Sequence, residues 1–423
     1  MNLAIFEDHG AERLLPLVWL RAPCELRCGR DRLIDKVRAH FPGPLARLLL
    51  RESLRAVISE RLRCEPADPD QPWLLVNARA LVTGNVAAPP PGTAWHHDGD
   101  LVAAVLTTEQ MDRLTPEDLL DPARLDDLIE DLRKAGGLRP AELPADIRLV
   151  RYLWDIIEAN ETELRRQCRP YGSRPNHQGS DVHPAAHLVV PEQITLARGV
   201  RIKPGAVLDA EDGPIVIDRE TLVEPNAVIQ GPCYIGPCSI VRPGAALRGG
   251  ASIGPVCKVG GEIEASIIHG YSNKQHDGFL GHSYVGEWVN LGADTITSDL
   301  KNTYGTIRVS LNGVGVETGR HFLGAMIGDH SKTGIGTILP TGVVIGVAAN
   351  VFTQSGVPKF VPSFAWLTQE GLTAYRVEKA LQIAQMVMGR RELELSDAER
   401  RLLEHVAQAA RQVERAGWAE TIG

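Results

Sequence analysis

The sequence predicts a chain in three parts: a mixed α/β domain over residues 1–180, a parallel β-helix of hexapeptide coils over residues 186–357, and a helical tail over residues 358–423. Three observations predict it. Strand-like and helix-like segments alternate through the first part. An aliphatic residue then recurs at every sixth position, and after Val357 that period gives way to helical spacing.

In the first part "NLAIF", "PWLLVNARAL" and "LVAAVL" read as strands, the last following the proline run Pro89, Pro90, Pro91 and the polar "WHHDGD". "RLDDLIEDLRKAG" and "LVRYLWDIIEANETELRRQ" place apolar residues three and four apart, the spacing of amphipathic helices. "CRPYGSRPNHQGSDVHP", rich in Pro, Gly, Ser and His, reads as a linker.

In the second part Ile217, Val223, Ile229, Ile235, Val241, Leu247, Ile253 and Val259 follow one another at intervals of six. Leu196, Ile202 and Leu208 run ahead of them, and Ile327, Thr333, Leu339, Ile345 and Val351 resume the series. A helix repeats at 3.6 residues and a half-buried strand at 2, so neither accounts for six. One short strand and a turn per six residues, three to a coil, does. The period implies roughly eight or nine coils of about 18 residues, each aliphatic side chain pointing into the prism. In the tail, "AYRVEKALQIAQMVMGRR" and "SDAERRLLEHVAQAARQVERAG" read as helices, the second capped by Ser396 or Asp397. They are expected to cover or brace the open end of the solenoid.

Composition narrows the partners. The chain is 43% hydrophobic and 23% charged, the balance of a soluble globular protein, and its net charge of −8 argues against a nucleic-acid surface. No apolar run reaches bilayer length, and "MNLAIFEDHG" carries acids where an export signal needs a basic start. A cytoplasmic protein with no membrane and no nucleic-acid partner is expected. The seven cysteines show no paired zinc spacing and read as reduced, mostly buried thiols.

The solenoid pattern breaks at "GYSNKQHDGFLGH", residues 270–282, which sets two histidines, an aspartate, a lysine and an asparagine in a repetitive wall. From 241 to 303 the sequence resembles the acetyltransferase half of bifunctional GlmU enzymes, left-handed β-helix acyltransferases that form trimers with sites between adjacent prisms. "VRPGA" matches the segment that carries a sugar-phosphate arginine, here Arg242. "WVNLGADT" matches "NVNIGAGT", whose asparagine contacts substrate, here Asn290. With those in register, "KQHDGFLG" falls on "AGHLTYLG" and puts His276 on the catalytic base. "SDLKNTYG", with Asp299, Lys301 and Asn302, occupies the place of a loop that closes over sugar and CoA. The match departs from the family pattern at Glu264 and Ser266, where a phosphate-binding lysine is expected, at Asp299 for asparagine and at Phe279 for tyrosine. Lys274, Arg308 or Lys301 could supply the missing charge, and each is also an ordinary surface residue. His282 orients substrate or stacks on a neighbouring coil in this reading.

The opening "LLPLVWLRAPCELRCGR" lacks the Gly-rich triphosphate loop "GxGTRM". It resembles a divergent sugar-nucleotidyltransferase-like family fused to a hexapeptide domain, at Pro16, Arg21, Pro23, Glu25, Arg27 and Gly29. The resemblance implies a Rossmann-like α/β fold, with Arg21 and Arg27 as phosphate binders; the alternative is pairing with Glu25 or Asp31. It places Asn77 where the family carries a magnesium aspartate, with Mg2+ a possible cofactor and Asp98 or Asp100 possible substitutes.

The expected function is acyl transfer from acetyl-CoA, as co-substrate, to an amino-sugar phosphate like glucosamine 1-phosphate. The first domain would bind nucleotide sugar or transfer uridylyl in UDP-N-acetylglucosamine synthesis for the cell envelope. A histidine of near-neutral pKa suits this chemistry, because only a neutral amine attacks the thioester. Three rivals stand: a nucleotidyltransferase with a purely structural trimerising β-helix, a zinc-dependent gamma-carbonic-anhydrase-like hydratase using His269, His276 or His282, and a catalytically silent scaffold.

Overall fold

The computed structural model describes residues 1–134, 138–169, 179–354 and 356–419. The expected linker falls largely on 170–178, outside the described residues. The chain divides into two compact units. The first comprises Met1–Leu14, Leu20–Leu26 and Asp31–Tyr152; the second comprises Leu15–Trp19, Arg27–Arg30 and Leu153–Gly423.

The first unit is built on a six-stranded mixed sheet in the order Leu45–Leu49, Asn2–Phe6, Trp73–Asn77, Asp100–Leu106, Thr93–His97, Arg139–Ala141. Asn2–Phe6 and Trp73–Asn77 are buried along their whole length, which is why they read as continuous apolar runs rather than alternating ones. They run parallel with Phe6 opposite Asn77, so Glu7, Asp8 and Asn77 come together at the carboxyl edge, where open α/β sheets place their sites. The helix Pro122–Lys134 lays Leu125, Ile129 and Leu132 on one face of this sheet, beside Phe6, Trp73 and Leu75.

In the second unit three parallel sheets wind into a β-helix of about ten turns. The six-residue ladder is its interior: Ile217, Ile235 and Ile253 stack in register on one face, and Val223, Val241 and Val259 on the next. All but Thr333 of the ladder residues named above belong to one continuous buried cluster. Beyond Val259 the coils change length. Ile235 faces Ile253 eighteen positions on, yet Ile253 faces Ile268 after fifteen and Ile268 faces Val285 after seventeen. Val285 then pairs with Ile327, because a loop carrying the hairpin Arg308–Leu311/Val314–Glu317 is inserted between those coils.

The tail helices Val377–Gly389 and Asp397–Val413 follow. Ser396 caps the second: its Oγ accepts from Glu399 N–H while Glu399 returns a bond to the Ser396 N–H, closing a capping box. Just beyond that helix, buried Glu414 accepts from Trp19 Nε1 at 2.9 Å, Ser363 N at 2.7 Å and Ser363 Oγ at 2.8 Å. The tail therefore braces the last coils, and a segment from the start of the chain shares the same anchor.

Candidate functional site

In the first unit the carboxyl edge of the sheet is filled by an arginine. Arg79, fully buried, donates Nε–H to Asp8 Oδ1 at 2.7 Å, its Nη2 to Asp8 Oδ2 and, at 3.0 Å, to Asp100 Oδ2, and its Nη1 to the Val150 carbonyl at 3.2 Å. Asn77 donates to Asp8 Oδ2 at 2.8 Å and to the Leu101 carbonyl, and its Oδ1 accepts from Arg79 N–H. Gly10 lies flat against this guanidinium: a Cβ there would come within 2.4 Å of Arg79 Cζ. Asp98, the other acid expected to compensate for Asn77, pairs with Arg151 at 2.7 Å, and Glu7 pairs with Arg51 at 2.5 Å. These residues do not fit a divalent ion. Each carboxylate on this edge is already neutralised by a guanidinium, and the amide at Asn77 is a weak Mg2+ ligand. Among the described residues no three metal-ligating side chains converge.

The two arginines expected to grip phosphate part company. Arg21 is buried in the first unit. Arg27 belongs to the second: its N–H donates to Tyr284 Oη at 2.9 Å, and its guanidinium stands 5.9 Å from the centre of the Tyr234 ring. Gly29, from the same opening motif, donates to Asn160 Oδ1 at 2.7 Å and accepts from Ser252 Oγ at 2.6 Å. "ELRCGR" is thus built partly into the flank of the solenoid.

On the solenoid wall the shortened coil puts Lys274 at an interior position, opposite Val259. Buried, it donates Nζ–H to the carbonyls of Gly260 at 3.2 Å, His276 at 2.5 Å and Asp277 at 3.2 Å. Burial pushes its amine down to about 8, with Asp277 and Asp294 opposing. Lys274 therefore does not present charge to solvent; it clamps the turn that carries His276. The His276 ring is exposed and has no hydrogen-bond partner among the described residues. Asn290 continues the outer face of the wall between Asn273 and Lys332, and its Oδ1 accepts from Asn273 Nδ2 at 3.3 Å. Arg242 is half-exposed and pairs with Glu224 at 2.8 Å, while Phe279 is half-buried on an adjacent strand. Arg308 faces Glu317 across the inserted hairpin at 3.9 Å.

His282 is placed differently. Its Nδ1–H donates to Asp299 Oδ2 at 2.8 Å and its ring stacks on Phe322 at 5.1 Å, at a left-handed φ of 42°. It lines a cavity of about 410 Å3 with Trp154, Glu158 and Arg320, the last two paired at 2.6 Å. Lys301 donates to the Thr306 carbonyl at 2.5 Å and Asn302 is exposed, so the loop that carries Asp299 is tied to His282 by the aspartate alone of these three. His269 is buried and shares a hydrogen bond of 2.8 Å with Tyr284 Oη. The carboxylate-oriented imidazole is therefore His282, and the solvent-open one is His276.

Sequence reasoning missed Arg79 and the pairing of His282 with Asp299. A weak signal existed for the second: Asp299 stands where the related loop has asparagine, and a carboxylate suits a histidine partner better than an amide does.

The chain thus joins a sugar-nucleotidyltransferase-type α/β unit to a parallel β-helix. Residues 3–170 match the family described as sugar nucleotidyl transferase, and over part of its length the chain is related to GlmU-type bifunctional proteins. It is 35% identical over 97 residues to the "Bifunctional sugar-1-phosphate nucleotidylyltransferase/acetyltransferase" of Sulfurisphaera tokodaii, covering 22% of this chain and 24% of that one. It is 28% identical over 225 residues to the "Bifunctional protein GlmU" of Methanococcus maripaludis, covering 52% and 47%. The chain spans about a quarter of the length of the first curated relatives it matches. Among solved structures, the UDP-N-acetylglucosamine acyltransferase from Campylobacter jejuni matches at 14% identity and a TM-score of 0.24, over 53% of this chain and 96% of that one.

Proposed function

We propose that the second unit transfers an acetyl or other acyl group from acyl-CoA to the amine of an amino-sugar phosphate such as glucosamine 1-phosphate. The first unit binds the nucleotide or sugar-nucleotide end of that chemistry, and the working form is a cytoplasmic homotrimer. The observation that carries the reading is the exposed His276 imidazole, on a turn held by the Lys274 clamp. The free amine attacks the thioester carbonyl: the C–N bond forms, the C–S bond breaks, and His276 takes the amine proton and passes it to the leaving thiolate. Arg242 and Asn290 hold the sugar phosphate, and the neighbouring subunit closes the cleft. No metal enters these steps, and Arg79 takes the place of one in the first unit.

A second assignment of the base rests on one distance. His282 has the orienting carboxylate that a general base commonly carries, Asp299 at 2.8 Å. Thiol release from acetyl-CoA with glucosamine 1-phosphate separates the two. Loss of ~10²–10⁴-fold in His276→Ala with little change in His282→Gln supports the first assignment, and the reverse supports the second. Equal release by both variants and the native protein refutes both.

A further inference from the structure

Lys274 interrupts the aliphatic ladder of the solenoid. Val241 and Val259 stand before it at the same register on this face, and all three are buried. Lysine is rarely buried without partners for its charge. Here the partners are backbone, and the reason lies in the corner that follows it. Val259 and Glu262 are separated by two residues, Gly260 and Gly261, whereas their partners one coil on, Lys274 and Phe279, are separated by four, residues 275–278. A four-residue corner cannot pair rung for rung with a two-residue one, and a buried carbonyl left without a donor is costly. The Lys274 ammonium fills the gap, meeting the carbonyls of Gly260, His276 and Asp277 at 3.2, 2.5 and 3.2 Å. An ammonium brings three donors to three acceptors; a neutral amine brings only two.

Two glycines leave room for this arrangement. Gly261 has a φ of 67°, and a Cβ there would stand 2.9 Å from Lys274 Nζ and 2.8 Å from the His276 carbonyl oxygen. Gly278 has a φ of 115°, and a Cβ there would stand 2.3 Å from the Thr295 carbonyl oxygen on the next coil. Asp294 N–H donates to the Asp277 carbonyl at 3.0 Å, so the turn is held from the coil on either side. Within that turn His276 and Asp277 are exposed, while Lys274 itself is closed off beneath them.

The charges that face Lys274 are Asp277 on its own turn and Asp294 on the next coil, and both favour the ammonium. On the preceding coils Arg242 and Glu262 are taken up by Glu224 and Arg248. Burial outweighs the two acids and brings the amine down to about 8. The third donor is therefore lost on going from neutral to mildly alkaline pH, and one carbonyl of the clamp is then left facing a lone pair.

We infer that Lys274 is a positioning residue for acyl transfer, and that only its ammonium form holds the His276 turn in the shape that aims the imidazole. The inference rests on the assignment of His276 as the base and adds to it a group that must keep its proton. Lys274 acts through the carbonyls of the turn rather than on acceptor or thioester. In "AGHLTYLG", the family segment that "KQHDGFLG" matches, alanine stands at the place of Lys274, so the clamp belongs to this chain.

Thiol release by the full chain from saturating acetyl-CoA and glucosamine 1-phosphate, followed against pH, tests it. The acceptor amine and the imidazole both lose protons as pH rises, which favours attack, so an alkaline fall in kcat reports a group that must stay protonated. Native kcat should fall at least ~10-fold between about pH 7.5 and 9.5, since the ammonium with its pKa of about 8 becomes scarce there. Lys274→Met keeps an unbranched apolar chain on the ladder and removes every donor. It should lower kcat ~10–100-fold at about pH 7.5, leave KM for both substrates within ~3-fold, and abolish the alkaline fall. The His276 ring signal in protein carrying 13C-labelled histidine, assigned with His276→Gln, needs neither turnover nor a folded Lys274 variant. It should take a step at about pH 8 in the native protein. Thiol release with no alkaline fall, or with a fall that survives in Lys274→Met, overturns this inference and leaves the acyl-transfer reading standing. No thiol release at any pH defeats that reading instead, and the ring signal then decides the clamp alone: a signal without the step overturns it.

Discussion

Arg79→Ala should destabilise the first unit and create a metal site there. In the native protein the guanidinium satisfies both oxygens of Asp8, whose side chain is 1% exposed, one oxygen of Asp100, and the Val150 carbonyl. Truncation leaves Asp8 a buried carboxylate with Asn77 as its remaining side-chain donor. Deleting one partner of a buried ion pair costs ~3–5 kcal/mol, because the other charge is left without compensation. At ~2–4 °C per kcal/mol for a unit of this size, the calorimetric transition of the first unit should fall by ~6–20 °C. Asp8, Asp100 and the Asn77 carbonyl would then surround a vacancy suited to a small hard cation. Millimolar magnesium should restore part of the lost transition temperature in the variant by binding only the folded form, and leave the native protein unmoved. Scanning calorimetry of the full chain, with and without magnesium, measures both. A native transition raised by magnesium as much as the variant's would refute the reasoning, as would a variant that loses less than ~1 kcal/mol.

Further expectations follow from the second unit. Glu414→Ala removes the acceptor of three hydrogen bonds from Trp19 and Ser363 and should cost ~3–5 kcal/mol in urea unfolding, against less than ~1 kcal/mol for an exposed tail acid such as Glu404→Ala. Lys332 titrates at about 8 in the fold against 10.5 as an ordinary lysine, so between those values the unfolded chain holds the extra proton. Stability should therefore rise with pH across that window, by up to ~3 kcal/mol, and Lys332→Met should remove that part of the rise. Asp299→Asn should lower acyl transfer ~10-fold or more if His282 is the base and leave it near native if His276 is, read by thiol release against pH.

Much of the β-helix was legible because one rule, an aliphatic residue at every sixth position, acts independently on each rung. Ile217, Val223 and Ile229 need no knowledge of distant partners to point inward. The strands of the first unit were legible for a related reason: buried parallel strands are continuous apolar runs. Legibility failed where length changed. Once the coil after Val259 loses three positions, Lys274 falls on the inner register and a lysine that reads as surface charge becomes a clamp. It failed again where partners are remote in sequence, since Asp8, Arg79 and Asp100 meet only through the sheet order. Arg27 shows the same limit from the other side. Its motif reads as a phosphate grip, but its neighbours Tyr234 and Tyr284 lie more than two hundred residues away.

Glu414 also sets an order of events during synthesis. Trp19 emerges early, Ser363 late, and the carboxylate that holds both is made later still. Because Leu15–Trp19 and Arg27–Arg30 belong to the second unit, these two segments wait for partners encoded far downstream. A ribosome that stalls short of residue 414 therefore releases a β-helix whose coils can wind but whose final latch is open.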